Sequence, residues 1–99
     1  MTKQPKNIHP GEILSDFLTD YELSQNQLAR ALKVPVRRIN AIVNEQRGIT
    51  ADTAVRLSRF FGNSVEFWLN LQERYDIVKA QKKLSSELKS IRPLAAAYA

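Results

Sequence analysis

The sequence predicts an all-α fold of five helices and no strand, arranged as one domain over residues 1–99 with an extended C-terminal helix. Apolar residues recur three and four positions apart along most of the chain, as in amphipathic helices. Ser24, Thr50 and Ser64 stand immediately before such segments, where their hydroxyl groups suit helix N-caps. Pro10 and Pro35 stand where helices begin, and proline is favoured at the first helical position. Together these signals place the starts of all five helices.

The first and fourth helices are predicted to build much of the core. Glu12 lies in the first turn of helix one, where a carboxylate is stabilised by the helix dipole. The apolar stripe of this helix is broad and consists of Ile13, Leu14, Phe17, Leu18 and Tyr21. Helix four presents Ala54, Leu57 and Phe61 inward and ends at Gly62 and Asn63. In the turn before it, Gly48 is expected to adopt a positive φ.

Residues 24–46 contain two short helical patterns separated by a turn of only a few residues. After the Ser24 cap, the first pattern has one apolar face made by Leu28, Ala29 and Leu32. Lys33 and Val34 interrupt it. The second pattern starts at Pro35 and has the apolar residues Ile39, Ile42 and Val43. This is the layout of a helix-turn-helix motif and points to DNA.

The exposed face of the second helix of this motif carries side chains that can read bases. At about 100° per residue, the face opposite Ile39 holds Arg37, Ala41 and Asn44, flanked by Arg38, Asn40 and Glu45. The small Ala41 allows close approach of the backbone. Arg37 and Asn40 carry forked donors and acceptors that suit guanine and adenine edges in a major groove. A single helix face of this kind is more often simply solvated, so the interpretation depends on the preceding helix, the tight turn and the charge.

The formal net charge of +5 is unevenly distributed. Residues 24–61 hold seven basic and two acidic side chains, whereas residues 1–23 hold two basic and four acidic ones. The basic excess therefore coincides with the helix-turn-helix motif, as expected for a protein with a polyanionic partner.

Composition also limits the classes of function. The chain has no cysteine, and its only histidine, His9, lacks a second imidazole with which to form a metal or acid-base pair. We therefore expect no metal and no cofactor. No phosphate-binding glycine loop and no nucleophile beside a base are present, so we expect no enzymatic activity. No apolar run approaches the ~20 residues that span a bilayer, and a cytoplasmic protein without membrane contact is expected.

The fifth helix, within residues 64–85, is predicted to mediate dimerisation. Phe67, Trp68, Leu69 and Leu71 point in at least three directions on a helical wheel, so one core cannot cover them all. We expect Phe67, Trp68, Leu71 and Tyr75 at a homodimer interface, because aromatic side chains are enriched at interface centres. The alternative is that Trp68 only covers the edge of a small core. Beyond Lys79 the pattern weakens, and residues 94–99 are expected to fray.

Several motifs resemble those of a known family. Residues 24–62 resemble the Cro/repressor (XRE) helix-turn-helix superfamily. The segments His9-Pro10-Gly11-Glu12, 49–57 (ITADTAVRL) and 60–72 (FFGNSVEFWLNLQ) resemble HigA antitoxins in particular. The resemblance covers roughly residues 8–80. It implies a dimeric, five-helix Cro/repressor-like antitoxin that represses its own operon and neutralises a HigB-type toxin, a ribosome-dependent messenger-RNA nuclease.

The resemblance also implies roles for individual residues. Gln25 matches a glutamine that holds a phosphate and braces the recognition helix. The matching base-reading positions are Val36, Arg37, Asn40 and Ala41, and the loop amides between Arg47 and Thr50 match phosphate contacts. The full predicted DNA-binding set is Gln25, Val36, Arg37, Arg38, Asn40, Ala41, Asn44, Arg47, Gly48 and Thr50. The superfamily usually has glycine in the turn where this chain has Lys33, so some backbone strain is expected there.

The toxin surface is predicted from charge alone. Glu12, Asp16, Asp20 and Glu22 make helix one and its entry segment net acidic. A basic nuclease toxin could bind there, through Asp16, Asp20 and Glu22, while the basic half holds operator DNA. The simpler explanation is a solvated helix face.

Two other functions fit the same sequence: a helix-turn-helix regulator without a toxin partner, and a helical adaptor or RNA-binding module.

Overall fold

The computed structural model describes residues 6–97, and the described part of the chain contains helices and no strand. The five long helices are α1 (Pro10–Asp20), α2 (Gln25–Leu32), α3 (Val36–Val43), α4 (Ala51–Phe61) and α5 (Val65–Lys83). Two four-residue helices follow, α6 (Ser85–Leu88) and α7 (Leu94–Ala97). The predicted all-α class, five main helices and extended C-terminal helix are confirmed. Residues 94–97, expected to fray, instead form α7, whereas positions 98 and 99 lie outside the described residues.

Side-chain caps define where four of these helices begin, and three of them are the predicted Ser24, Thr50 and Ser64. Ser24 and Gln27 form a capping box, in which the Gln27 amide donates to Ser24 Oγ at 3.0 Å and the Ser24 amide donates to Gln27 Oε1 at 2.8 Å. Ser64 Oγ accepts the Phe67 amide at 3.0 Å, and Thr50 Oγ1 accepts the Thr53 amide at 3.4 Å. His9 caps α1 through Nδ1, which accepts the Gly11 amide at 2.9 Å.

The turn between α2 and α3 has the strained geometry expected from the lysine. Lys33 has φ 58 and ψ 47, the left-handed conformation that costs a non-glycine residue roughly 1 kcal/mol or more. Its amide still donates to the Arg30 carbonyl at 3.2 Å, so the turn closes without glycine. Pro35 is the N-cap of α3 rather than its first residue, so the helix begins one position later than predicted.

The core lies where α1 to α5 meet. It comprises the completely buried side chains of Leu14, Leu28, Ile39, Ile42, Ala54, Leu57 and Trp68, with Leu18, Ala29, Leu32 and Ile49 at its margin. Tyr21, predicted to belong to the apolar stripe of α1, is 59% exposed because the helix ends at Asp20 and the chain turns away. The buried stripe of α3 places its opposite face in solvent, and this orientation positions the candidate site.

Two glycines differ in what they contribute to the turns. Gly48 has no positive φ, contrary to the prediction; the left-handed residue in this connection is Glu45, with φ 61. Gly48 leaves room for Gln72 instead: a Cβ there would lie 2.7 Å from Gln72 Oε1 and would displace the Gln72 amide. Gly62, with φ 78, is the C-cap of α4, as the sequence predicted for the end of that helix.

Candidate nucleic-acid interface

A chain of three side-chain amides runs along the outer face of α3. Asn40 Nδ2 donates to Gln25 Oε1 at 3.3 Å, and Asn44 Nδ2 donates to Asn40 Oδ1 at 3.2 Å. Each bond uses one of the two donors on the donating amide and one of the two lone pairs on the accepting oxygen. The remaining donors and lone pairs stay available to a ligand. Gln25 thus joins the first helix of the motif to the second and orients Asn40, which matches the bracing role implied by the resemblance.

The other predicted base-reading side chains surround this amide chain. Val36 is 42% exposed and Arg37 is also exposed, whereas Ala41 is half-buried. The face therefore combines a cation, amides and two small apolar groups. These are the groups that recognise guanine, adenine and the thymine methyl in a major groove.

Arg38 occupies a different position from the other predicted DNA contacts. Its Nη1 donates to Asp52 Oδ1 at 2.8 Å, and Arg56 Nε donates to the same oxygen at 2.8 Å. The hydrogen bond from Arg56, and to a smaller extent the one from Arg38, holds the pKa of Asp52 below its ordinary value. Arg56 also donates from Nη1 to the Leu32 carbonyl at 2.8 Å, which connects α4 to the end of α2. Arg38 thus joins α3 to α4 and does not extend freely from the exposed face.

The loop between α3 and α4 brings further donors to the same side. Arg47 is exposed, and the free N–H groups of the first turn of α4 follow Thr50 directly. An exposed helix N-terminus of this kind suits a phosphate. The Ile49 amide is an exception to the expectation that the loop amides face phosphate, because it donates to Gln72 Oε1 of α5 at 2.7 Å.

The predicted dimer residues on α5 divide into two groups. Trp68, predicted at the interface, is completely buried, with Nε1 donating to Asn63 Oδ1 at 2.9 Å, so it has no surface left for a partner. The Trp68 ring packs on Phe17, with centroids 4.9 Å apart. Phe67 is 37% exposed, whereas Leu71 and Tyr75 are half-buried.

One apolar side chain on α5 was missed by the sequence reasoning. Ile77 is 47% exposed and lines two shallow grooves along α5, of about 400 Å³ and 520 Å³, together with Glu73. The helical wheel could have identified it, because Ile77 lies on the side of α5 opposite the core-facing Trp68. The outer side of α5 therefore carries an exposed apolar surface that includes Phe67 and Ile77.

The predicted toxin-binding carboxylates lie along the second half of α1 and just after its end. Asp16, Asp20 and Glu22 are all exposed, and Glu22 has a left-handed backbone with φ 55. Glu12, in the first turn of α1, pairs with Lys6 Nζ at 3.1 Å.

Residues 6–97 contain no group of three or more His, Cys, Asp or Glu side chains placed to hold a metal ion. Within the same range, every helix is too short or too polar to cross a membrane.

Comparison with known proteins places this geometry in a family. A protein-family model described as helix-turn-helix matches residues 17–68, more than half of the chain. The chain belongs to the helix-turn-helix family. The match includes α2 and α3 and extends into α5, so it covers all residues predicted to contact DNA.

Relatives of this helix-turn-helix protein include a virulence-associated protein and antitoxins. Virulence-associated protein I of Dichelobacter nodosus is 54% identical over 80 residues, covering 80% of this chain and 74% of that protein. The structure of Pseudomonas aeruginosa antitoxin HigA with the higBA promoter is 47% identical, with a TM-score of 0.86 over 90% of this chain and 99% of the other. An addiction module antidote protein of a HigA family from Coxiella burnetii is 49% identical, with a TM-score of 0.85 and the same coverage. The resemblance to HigA antitoxins is therefore confirmed.

Proposed function

We propose that this chain is a HigA-type antitoxin that binds the operator of its own operon as a homodimer and neutralises a HigB-type toxin. The observation that carries the DNA-binding part is the exposed face of α3, where Arg37 stands beside amides held in place by Gln25. The Pseudomonas HigA structure is of that antitoxin with the higBA promoter, and the similarity of the two chains supports the same kind of ligand here.

In this proposal α3 lies in the major groove, with Arg37 donating to a guanine and Asn40 paired with an adenine. Val36 and Ala41 provide apolar contact with thymine methyl groups. Gln25 on one side, and Arg47 with the start of α4 on the other, contact phosphates and set the depth of α3. Gly48 and Thr50 contribute to the second phosphate contact through the backbone.

Binding to DNA from upstream of the gene tests this part directly. We expect the wild-type chain to bind that fragment at least a hundredfold more tightly than a scrambled fragment of equal length, since specific binding commonly exceeds non-specific binding by about a thousandfold or more. Fluorescence anisotropy at a fixed salt concentration measures both constants. Equal affinities for the two fragments would refute sequence-specific binding.

The dimer is proposed to form through α5, with the exposed Phe67 and the additional residue Ile77 at its centre and the half-buried Leu71 and Tyr75 at its edge. A symmetric pair would present two α3 helices to successive major grooves ~34 Å apart, and the operator should then be a near-palindrome. Phe67→Ala and Ile77→Ala should weaken the dimer in analytical ultracentrifugation and leave the helical circular dichroism unchanged. A wild-type monomer at high micromolar concentration, both with and without DNA, would refute the dimer.

The toxin is proposed to bind at the acidic end of α1, apart from the DNA-reading face. Reversing Asp16, Asp20 and Glu22 to lysine should slow association of a basic toxin, because opposite charge acts mainly on the association rate. Operator affinity should remain nearly unchanged. Reversal of Glu87, an exposed carboxylate of α6, controls for a change of charge elsewhere on the surface.

The toxin partner itself is tested by co-purification of the small protein encoded beside this gene. Its absence from the complex would favour the alternative of a regulator without a toxin. Unchanged toxin capture by the triple reversal, or strict competition between toxin and operator DNA, would refute the proposed acidic surface.

A further inference from the structure

Gln72 of α5 reaches across to the loop that follows α3. Its Oε1 accepts the Ile49 amide at 2.7 Å, a contact between residues 23 positions apart in the chain. Its Nε2 donates to Asp76 Oδ1 at 3.0 Å, one turn further along α5. The second bond orients the amide so that its oxygen, and not its nitrogen, faces the loop.

The loop is shaped to receive this side chain. A Cβ on Gly48 would lie 2.7 Å from Gln72 Oε1 and 2.9 Å from Gln72 Cδ, both closer than ordinary contact. Ile49 is 3% exposed, so its side chain is anchored in the core while its amide is held by Gln72. At the two ends of the loop, the Gln46 amide donates to the Ala41 carbonyl, and Thr50 caps α4.

We propose that Gln72 is a positioning residue for operator binding, which holds the loop of residues 46–50 so that Arg47 and the first amides of α4 meet a DNA phosphate. The inference rests on the proposed function. Arg47 lies two residues from Ile49, and Thr50 directly follows it, so a shift of the Ile49 amide moves both phosphate-contacting groups. The helix proposed to form the dimer thereby also supports the DNA-contacting loop.

The first test removes the acceptor and keeps the shape. Gln72→Met has a similar length and no hydrogen-bonding amide, and we expect operator affinity to fall about tenfold. Gln81→Met makes the same chemical change at an exposed position of α5 and should bind like the wild type. Ethylation interference should show weaker dependence on the phosphates beside the loop in Gln72→Met, with the base contacts of α3 retained. Wild-type affinity for Gln72→Met would overturn the proposal.

The second test exchanges the groups of the Gln72–Asp76 pair. Gln72→Glu alone places two carboxylates 3.0 Å apart and should weaken operator binding. Adding Asp76→Asn supplies a side-chain amide that can donate to the new carboxylate, which can still accept the Ile49 amide, so affinity should recover to within about twofold of the wild type. A double variant as weak as Gln72→Glu would overturn the proposal. Ultracentrifugation of each variant separates a loss of dimer from a loss of DNA contact.

Hydrogen exchange of the Ile49 amide tests the same contact without DNA. Exchange should be slowed in the wild type and in the double variant, and faster in Gln72→Met. Equal exchange in the wild type and Gln72→Met would overturn the proposal. If the wild type fails to bind its upstream DNA, the proposed function fails, and this exchange experiment still decides whether Gln72 holds the loop.

Discussion

Gly11→Ala should destabilise the protein by forcing α1 away from α3. A Cβ at Gly11 would lie 1.8 Å from the Ile42 carbonyl oxygen, 2.8 Å from its carbon and 3.0 Å from His9 Nδ1. Ordinary carbon–oxygen contacts begin near about 3.3 Å, so the two helices must separate by about 1.5 Å. The obstacle is a backbone carbonyl that also accepts the Glu45 amide at 3.0 Å, so it cannot rotate away like a side chain.

The magnitude follows from two opposing terms. Overpacking a tight contact costs about 1–3 kcal/mol, and more when the backbone must move. Replacing glycine by alanine within a helix returns about 0.5–1 kcal/mol. The backbone must move here, so the cost lies at the upper end of its range and the expected net loss is about 2 kcal/mol in the free energy of unfolding. This is equivalent to a fall in Tm of roughly 8–16 °C for a domain of this size.

Thermal and urea denaturation measure this loss, and Gly62→Ala is a comparison without a steric clash. Gly62 has φ 78 and no neighbouring atom within 4 Å of an added Cβ, so its variant reports the strain of a left-handed alanine alone. Gly11→Ala should also weaken sequence-specific DNA binding, because Ile42 belongs to α3. An unchanged or raised Tm for Gly11→Ala would refute the reasoning that this close approach is obligatory.

Three further outcomes test the site and the cap of α1. Arg37→Ala should cost ~1–3 kcal/mol in operator binding and relax the preference at one base pair per half-site, whereas a uniform loss across operator variants would make Arg37 a phosphate contact. Arg47→Ala should weaken binding to all sequences alike and reduce the slope of log K against log salt by about 0.9 per monomer, and an unchanged slope would contradict this assignment. Burial holds the pKa of His9 below its ordinary 6.5, and neutral Nδ1 accepts the Gly11 amide. The unfolded chain therefore takes up the proton first as pH falls, and the free energy of unfolding should decrease below about pH 6.5. His9→Asn keeps a capping acceptor and should flatten this dependence, so identical profiles for wild type and variant would contradict the cap.

The sequence by itself determined the helices and the exposed face of α3. Ser24, Thr50 and Ser64 act through bonds to residues three positions away, so their roles can be read without knowing the tertiary structure. The exposed face of α3 follows from helical periodicity around the buried Ile39 and Ile42. The left-handed turn at Lys33 was also predictable, because the family pattern has glycine there.

Only the tertiary structure decided which of several available partners each side chain meets. From its sequence, Trp68 could have belonged to an interface or to the core. In the structure it packs in the core against Phe17, which lies more than fifty residues away along the chain. Arg38 shares the helix surface with Arg37, yet Asp52 of α4 holds it away from the reading face. The bond from Ile49 to Gln72 joins residues 23 positions apart in the chain. The missing side chain at Gly48 leaves room for Gln72, and Gly48 has no positive φ. Local hydrogen bonds and periodicity are encoded within a few residues, whereas these contacts depend on how α4 and α5 pack against the helix-turn-helix.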